Sequence, residues 1–198
     1  MIRPLRNGSG AVTGFASFGR DVTERARELE KLAHAATHDS LTDLPNRSLF
    51  LDRLGQALRQ ATRRHEPLTV AILDIDRFRD TNNRHGHLAG DAVLQAVAAR
   101  TRACVREADT VARIGGVEIA ILLVGAAEAD AESVLAKVVA ANAAPLQHDG
   151  VELRATVSVG AAGFPDDAQE GEALRRHADA AMYAAKAAGG NRYARYRR

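Results

Sequence analysis

The 198-residue chain has one cysteine, Cys104, and no tryptophan. A single thiol closes no internal disulfide, so a cystine-stapled secreted scaffold is excluded and a cytoplasmic, reducing setting is expected. No uncharged apolar run nears the ~18 residues of a membrane span, and the N-terminus has no signal-peptide segment. Charge of one sign is also missing. Twenty-seven Lys and Arg stand against 25 Asp and Glu, a net charge of +2. The small basic excess sits in the tail Arg192–Arg198, which reads as a solvated end, so no nucleic-acid partner is expected. His85 and His87 have no third histidine or cysteine at ligand spacing, which argues against zinc. Neither a G-x-S-x-G elbow nor a P-loop is present. What remains is an ordinary globular composition, 46% hydrophobic and 26% charged, long enough for one domain with appendages.

Hydrophobic spacing organises the chain. Residues 2–20 read as two strands around Asn7–Gly10, too few to bury a face alone. They read as the end of a larger sensor sheet. A helix follows from Asp21–Thr23, capped by Asp or Thr. Its seam of Val22, Ala26, Leu29, Ala33 and Ala36 suits weak parallel pairing or packing on the chain itself. Helices are expected at 46–64, 89–105, 129–143 and 171–188. Strands are expected at 68–74, 110–114, 117–124, 152–161 and about 191–196. Gly115-Gly116 reads as a two-residue hairpin turn, because both positions can take φ > 0. The fold class is α+β, a βαββαβ split-βαβ sheet with flanking helices. Three segments follow: a sensor-sheet remnant (1–20), a helical linker (21–37) and the main domain (38–198).

Several residues could carry chemistry. Asp74 ends a buried strand, where a carboxylate is costly unless paired or on a metal. Glu118 lies just past the Gly-Gly turn on a neighbouring strand. Together they suit one hard cation such as Mg²⁺ beside phosphate oxygens, with Gly115 and Gly116 leaving backbone N–H groups open. Asn82 and Asp91 have the donor and acceptor pattern for a guanine edge. Arg79 and Lys186 are candidate phosphate contacts. Taken singly, Asn82, Asp91, Arg79 and Lys186 are more often solvated surface groups, and Asp74 reads equally as a strand-end cap of a turn.

Four ordered motifs carry a resemblance. They are His38-Asp-Ser-Leu-Thr-Asp-Leu-Pro-Asn-Arg47, Asp74-Ile-Asp-Arg-Phe-Arg79 through Gly90-Asp91, Ala112-Arg-Ile-Gly-Gly-Val-Glu-Ile119, and Ala180–Arg192. Residues 38–198 resemble the GGDEF, or diguanylate cyclase, family, whose members condense two GTP into cyclic di-GMP as facing dimers. The resemblance implies Mg²⁺ on Asp74 and Glu118, guanine contacts from Asn82 and Asp91, and phosphate contacts from Lys186 and the backbone near Phe78. Arg106-Glu-Ala-Asp109, placed six residues before Gly115, is similar to the family's product-binding R-x-x-D site; its bland reading is a surface ion pair. The stretch Gly14–Glu24 resembles the end of a PAS sensor domain. A homodimer through the N-terminal helix or the GGDEF face is implied.

Departures from the pattern change the expected function. Val117 stands where the family carries a third carboxylate. Valine can neither bind Mg²⁺ nor accept a proton, so one ion rather than two is expected. Gly190 replaces a phosphate-binding arginine, and Arg79 replaces a lysine with less consequence. Asp76 is expected on the strand face opposite Asp74, which sets it aside as a substitute ligand. The expectation is a folded, catalytically impaired domain that binds GTP or cyclic di-GMP. A working cyclase and a ligand-free interaction module remain open.

Overall fold

The computed structural model describes residues 2–17 and 23–197, and the chain divides into two compact units, 1–36 and 37–198. In the first, β1 (Ile2–Arg6) and β2 (Val12–Ser17) form an antiparallel hairpin. Asn7 Oδ1 organises its turn by accepting from the N–H groups of Ser9 at 3.2 Å and Ala11 at 2.9 Å. The hairpin buries little, and Leu5, Val12 and Phe15 are exposed. Helix α1 (Thr23–Thr37) follows. Of the expected seam, Val22 and the side chains of Ala26 and Leu29 lie outside the described residues; Ala33 and Ala36 are exposed.

The second unit begins with α2 (Arg47–Arg64). Asn46 caps it, its side chain accepting from Leu49 N–H at 3.1 Å. After the central strand β3 (Leu68–Ile75) come α3 (Phe78–His85) and α4 (His87–Ala103). The hairpin β4 (Thr110–Arg113) and β5 (Glu118–Val124) precedes α5 (Glu128–Asn142). A small hairpin, β6 (Leu146–His148) and β7 (Val151–Leu153), leads to β8 (Val157–Phe164), α6 (Gly171–Ala187) and β9 (Arg192–Arg195). The main sheet has the order β4-β5-β3-β8-β9, antiparallel except between β8 and β9. This is the expected α+β split-βαβ sheet.

Strand β3 is buried on both faces, and alternation divides its side chains between two cores. Leu68, Val70 and Ile72 pack with Phe50 and Leu54 of α2 and with Leu174, Ala178 and Met182 of α6. Ala71, Leu73 and Ile75 pack on the other face with Val93, Leu94 and Val97 of α4 and Leu135 and Val138 of α5. Gly160 of β8 brings α6 onto the sheet. A Cβ there would overlap Met182 N and Ala178 O and lie 2.6 Å from Ala181 C.

Three local expectations are corrected. Register Arg113↔Ile119 leaves a longer loop, closed by Ile114 N–H on Glu118 O at 3.0 Å. Val117 therefore lies in the loop, and neither Gly115 nor Gly116 has positive φ. The polar stretch Phe78–His85, where no element is expected, is a helix; it buries no residue, so no apolar period marks it. The strand expected at 152–161 is two strands, because Val151–Leu153 pairs back on β6 and only Val157 onward joins the sheet.

Candidate functional site

The ends of β3, β5 and β8 place the main group of candidate residues. Asp74 is the Cα partner of Glu118 on one side and Ser158 on the other. It is buried, and Lys186 from the last turn of α6 lies with Nζ 2.7 Å from its Oδ1. Burial raises the Asp74 pKa above the ordinary aspartate value, against the hydrogen bond and charge of Lys186; the Asp76 and Asp179 carboxylates add to the rise. Lys186, expected on phosphate, is thus on a carboxylate here. Glu118 opens β5 and folds back over the loop, so that a Cβ at Gly115 would lie 3.0 Å from its Oε2.

Arg113 fixes that loop, a role that motif reading missed. Its Nε and Nη2 donate to Gly116 O at 3.1 and 2.7 Å, and its Nη1 donates to Asp39 Oδ1 at 2.9 Å. Asp39 Oδ1 also accepts from Thr42 N–H at 3.0 Å and Thr42 Oγ1 at 2.7 Å. Burial pushes the Asp39 pKa up, but the hydrogen bonds from Thr42 and Arg113 outweigh it and hold the carboxyl below its ordinary value. The Asp39–Thr42 turn has a signal in its spacing, but its pairing with Arg113 has none.

Asp76 corrects the expected strand face. Residues two apart share a face, and its charge acts on Asp74. Its carboxylate is already engaged, accepting from Thr156 Oγ1 at 2.7 Å, Ser158 Oγ at 2.6 Å and Asn191 N–H at 2.9 Å. Gly190, at φ +71, sits against it, and a Cβ there would lie 2.8 Å from Asp76 Oδ2. A cleft of about 700 Å³ adjoins this region, lined by Asp76, Arg77, Arg84, Arg154, Lys186 and Gly190 among others. Arg77 starts α3 at φ +51, with Phe78 half-buried and Arg79 exposed after it.

Asn82 on α3 and Asp91 on α4 flank the turn at Gly86, φ +82. The Asn82 side chain lies against Gly90 and Phe78. Arg106 and Asp109 are elsewhere. Asp109 Oδ1 accepts from Val124 N–H at 3.1 Å, at the opposite end of β5 from Glu118. Its Oδ2 accepts from Arg106 N–H at 3.0 Å. The two residues are therefore joined through backbone, with Asp109 buried and Arg106 exposed, and not as the surface ion pair of the bland reading.

Asp74 and Glu118 are hard oxygen donors on adjacent strands, the class that Mg²⁺ takes. Among the described residues no group of three His, Cys, Asp or Glu is placed to hold a metal, and none of their helices is long and apolar enough to cross a membrane.

Comparison with known proteins follows the same lines. The family model for the diguanylate cyclase GGDEF domain matches residues 36–192. Diguanylate cyclase TpbB of Pseudomonas aeruginosa (strain UCBPP-PA14) is 46% identical over 161 residues, 80% of this chain and 37% of that protein. The bifunctional diguanylate cyclase/cyclic di-GMP phosphodiesterase MucR of Pseudomonas aeruginosa is 43% identical over 171 residues, 86% of this chain and 25% of that protein. The chain thus spans less than two fifths of these curated relatives. Among solved structures, a Pseudomonas aeruginosa TpbB mutant comprising only the GGDEF domain superposes with a TM-score of 0.79 at 42% identity, covering 81% of this chain and 94% of that one. The coiled coil and GGDEF domain of DgcB from Caulobacter crescentus, in complex with c-di-GMP, superposes with a TM-score of 0.78 at 32% identity, covering 87% and 92%.

Proposed function

The chain belongs to the diguanylate cyclase GGDEF-domain family, and from that premise we propose a guanine-nucleotide-binding domain of cyclic di-GMP signalling whose own cyclase chemistry is impaired. The observation that carries this is Val117 in the Arg113-clamped loop, directly before Glu118, with no group of three His, Cys, Asp or Glu among the described residues placed to hold a metal. Asp74 and Glu118 would hold one Mg²⁺ together with nucleotide phosphates. Bound there, the ion supplies charge neutralisation at the α-phosphate and acidifies an attacking 3′-hydroxyl. Lys186 and the backbone at Phe78 and Arg79 orient the phosphates, while Gly115 and Gly116 keep the loop backbone open to them. Asn82 and Asp91 read the guanine edge. Valine at 117 holds no ion and takes no proton, a loss of roughly 3–5 kcal/mol of transition-state stabilisation, or about 10²–10⁴ in rate.

Arg106 and Asp109 are the proposed cyclic di-GMP contacts. The Arg106 guanidinium is exposed and can fork onto a guanine, while both Asp109 oxygens keep lone pairs beyond their backbone partners. The β1–β2 hairpin is proposed as part of a PAS-like sheet, and α1 as a helical linker that favours a homodimer.

Incubation with GTP and Mg²⁺, with calorimetric titration of GTP and cyclic di-GMP, tests the reading. The expected result is nucleotide binding with little product. Efficient synthesis of cyclic di-GMP would establish an active cyclase, and no thermal shift with either nucleotide would establish an interaction module. Ligand at 100 times Kd would otherwise add about 2.7 kcal/mol of stability.

A further inference from the structure

Two aspartates at the end of β3 are held in opposite ways. The Asp76 carboxylate accepts from three fixed donors, Thr156 Oγ1 at 2.7 Å, Ser158 Oγ at 2.6 Å and Asn191 N–H at 2.9 Å. The Asp74 carboxylate has one partner among the described residues, the Lys186 ammonium, with Nζ 2.7 Å from Oδ1. Asp74 is buried, so this single contact stands against the loss of water around its charge. The donors of Asp76 are backbone or short side chains and stay where the fold puts them. Lysine is a compact point charge on a flexible four-carbon stem and can leave. Lys186 is rooted in the last turn of α6, and its side chain is 33% exposed. It also lines the cleft of about 700 Å³ beside Arg77 and Gly190. The ammonium therefore has Asp74 on one side and open space on the other.

We infer that Lys186 is a positioning residue that exchanges between the Asp74 carboxylate and nucleotide phosphate, and so makes divalent-cation binding at Asp74 depend on the nucleotide. The inference rests on the one-ion reading above and deepens it. An ammonium donating to Oδ1 and a divalent ion on the same carboxylate repel each other and share one negative charge. A phosphate beside Lys186 offers the ammonium other charged oxygens. The carboxylate it leaves is then open to the ion. Linkage is reciprocal, so the nucleotide raises cation affinity by the same factor as the cation raises nucleotide affinity. Asp76 does not exchange in this way, because its three donors are fixed. The exchange also accounts for Lys186 lying on a carboxylate although its motif position is a phosphate contact.

Titration of the full chain with Mn²⁺, an oxygen-ligand probe for Mg²⁺ followed by electron paramagnetic resonance, tests this without nucleotide. Lys186→Met should bind Mn²⁺ about ten-fold more tightly than wild type, a size usual for coupled sites. In EDTA the same variant should bind GTP more weakly than wild type, read by calorimetry. The two effects then have opposite signs, whereas a merely structural role for Lys186 would weaken both. Lys186→Gln keeps a neutral donor for Asp74, should shift both affinities in the same directions, and serves if Lys186→Met folds poorly. Arg77→Met removes an exposed cation from the same cleft and should leave Mn²⁺ affinity within about two-fold, because such charges are screened. An unchanged Mn²⁺ affinity in both Lys186 variants, or an equal gain in Arg77→Met, overturns the inference alone. Mn²⁺ binding by Lys186→Met that adding Asp74→Asn does not weaken, or no binding by any variant, overturns the one-ion reading and the inference with it.

Discussion

Position 117 carries an isopropyl group directly before Glu118, the first residue of β5, in a loop whose carbonyl at Gly116 is clamped by Arg113. The side chain is half-exposed and outside both cores, so a carboxylate can be placed there without repacking. Val117→Asp should raise cyclic di-GMP formation from GTP by at least ten-fold, measured as product by chromatography, with little change in melting temperature. No gain would move the defect to Gly190, where the left-handed backbone and the Asp76 carboxylate leave little room for a side chain. Asp74 gives a second residue-level test. Its folded-state pKa is raised, chiefly by burial, so its contribution to stability is greatest below the unfolded-state pKa and is lost as pH rises through the folded value. Once ionised, Asp74 is a net burden on the folded state despite Lys186. Asp74→Asn should therefore melt higher than wild type at pH 7, with the gap closing as pH falls toward 4. Thermal melts across that range read the sign, and a variant less stable at pH 7 would show that the Lys186 pair outweighs burial.

At the scale of elements, the close approach of α6 to β8 connects packing to the site. Because Gly160 has no Cβ, the backbone of α6 touches the sheet, and the same helix delivers Lys186 to Asp74. The neighbours of a Cβ at 160 are main-chain atoms that cannot rotate away. Gly160→Ala should cost about 3 kcal/mol or more, read as a lower urea midpoint, and should weaken GTP binding as Lys186 moves. A stability within about 0.5 kcal/mol of wild type would mean that the helix is free to shift. The sequence made the long elements legible because their burial is periodic: Phe50, Leu54, Ala57 and Ala61 mark α2, and the unbroken run 68–75 marks a strand buried on both faces. It hid α3, which buries nothing, and the β6–β7 hairpin, whose strands are three residues each. The candidate acids at 74 and 118 were legible as motif positions. The Arg113–Asp39 clamp was not, since hydrogen bonds between residues 74 positions apart leave no local pattern.

For the molecule as a whole, the cores decide what the N-terminal segment can contribute. Among the described residues, the two hydrophobic clusters and the residues packed against them run from Leu41 to Tyr196. The β1–β2 hairpin leaves Leu5, Val12 and Phe15 exposed, and a two-stranded sheet of that kind adds little stability in water. Removing residues 1–36 should therefore leave a protein that unfolds in one cooperative step. Its urea midpoint and slope should be close to those of the main transition of the full chain, because the slope follows the surface exposed on unfolding. GTP affinity should be retained within about two-fold, since Asp74, Asn82, Asp91, Glu118 and Lys186 all lie in the remaining unit. What the truncation should abolish is self-association: if α1 pairs two copies, sedimentation of the full chain shifts with concentration and that of the shortened chain does not. A shortened chain with a markedly lower midpoint would show that the N-terminal segment contributes to the fold. One that still dimerises would place the dimer contact on the GGDEF face instead.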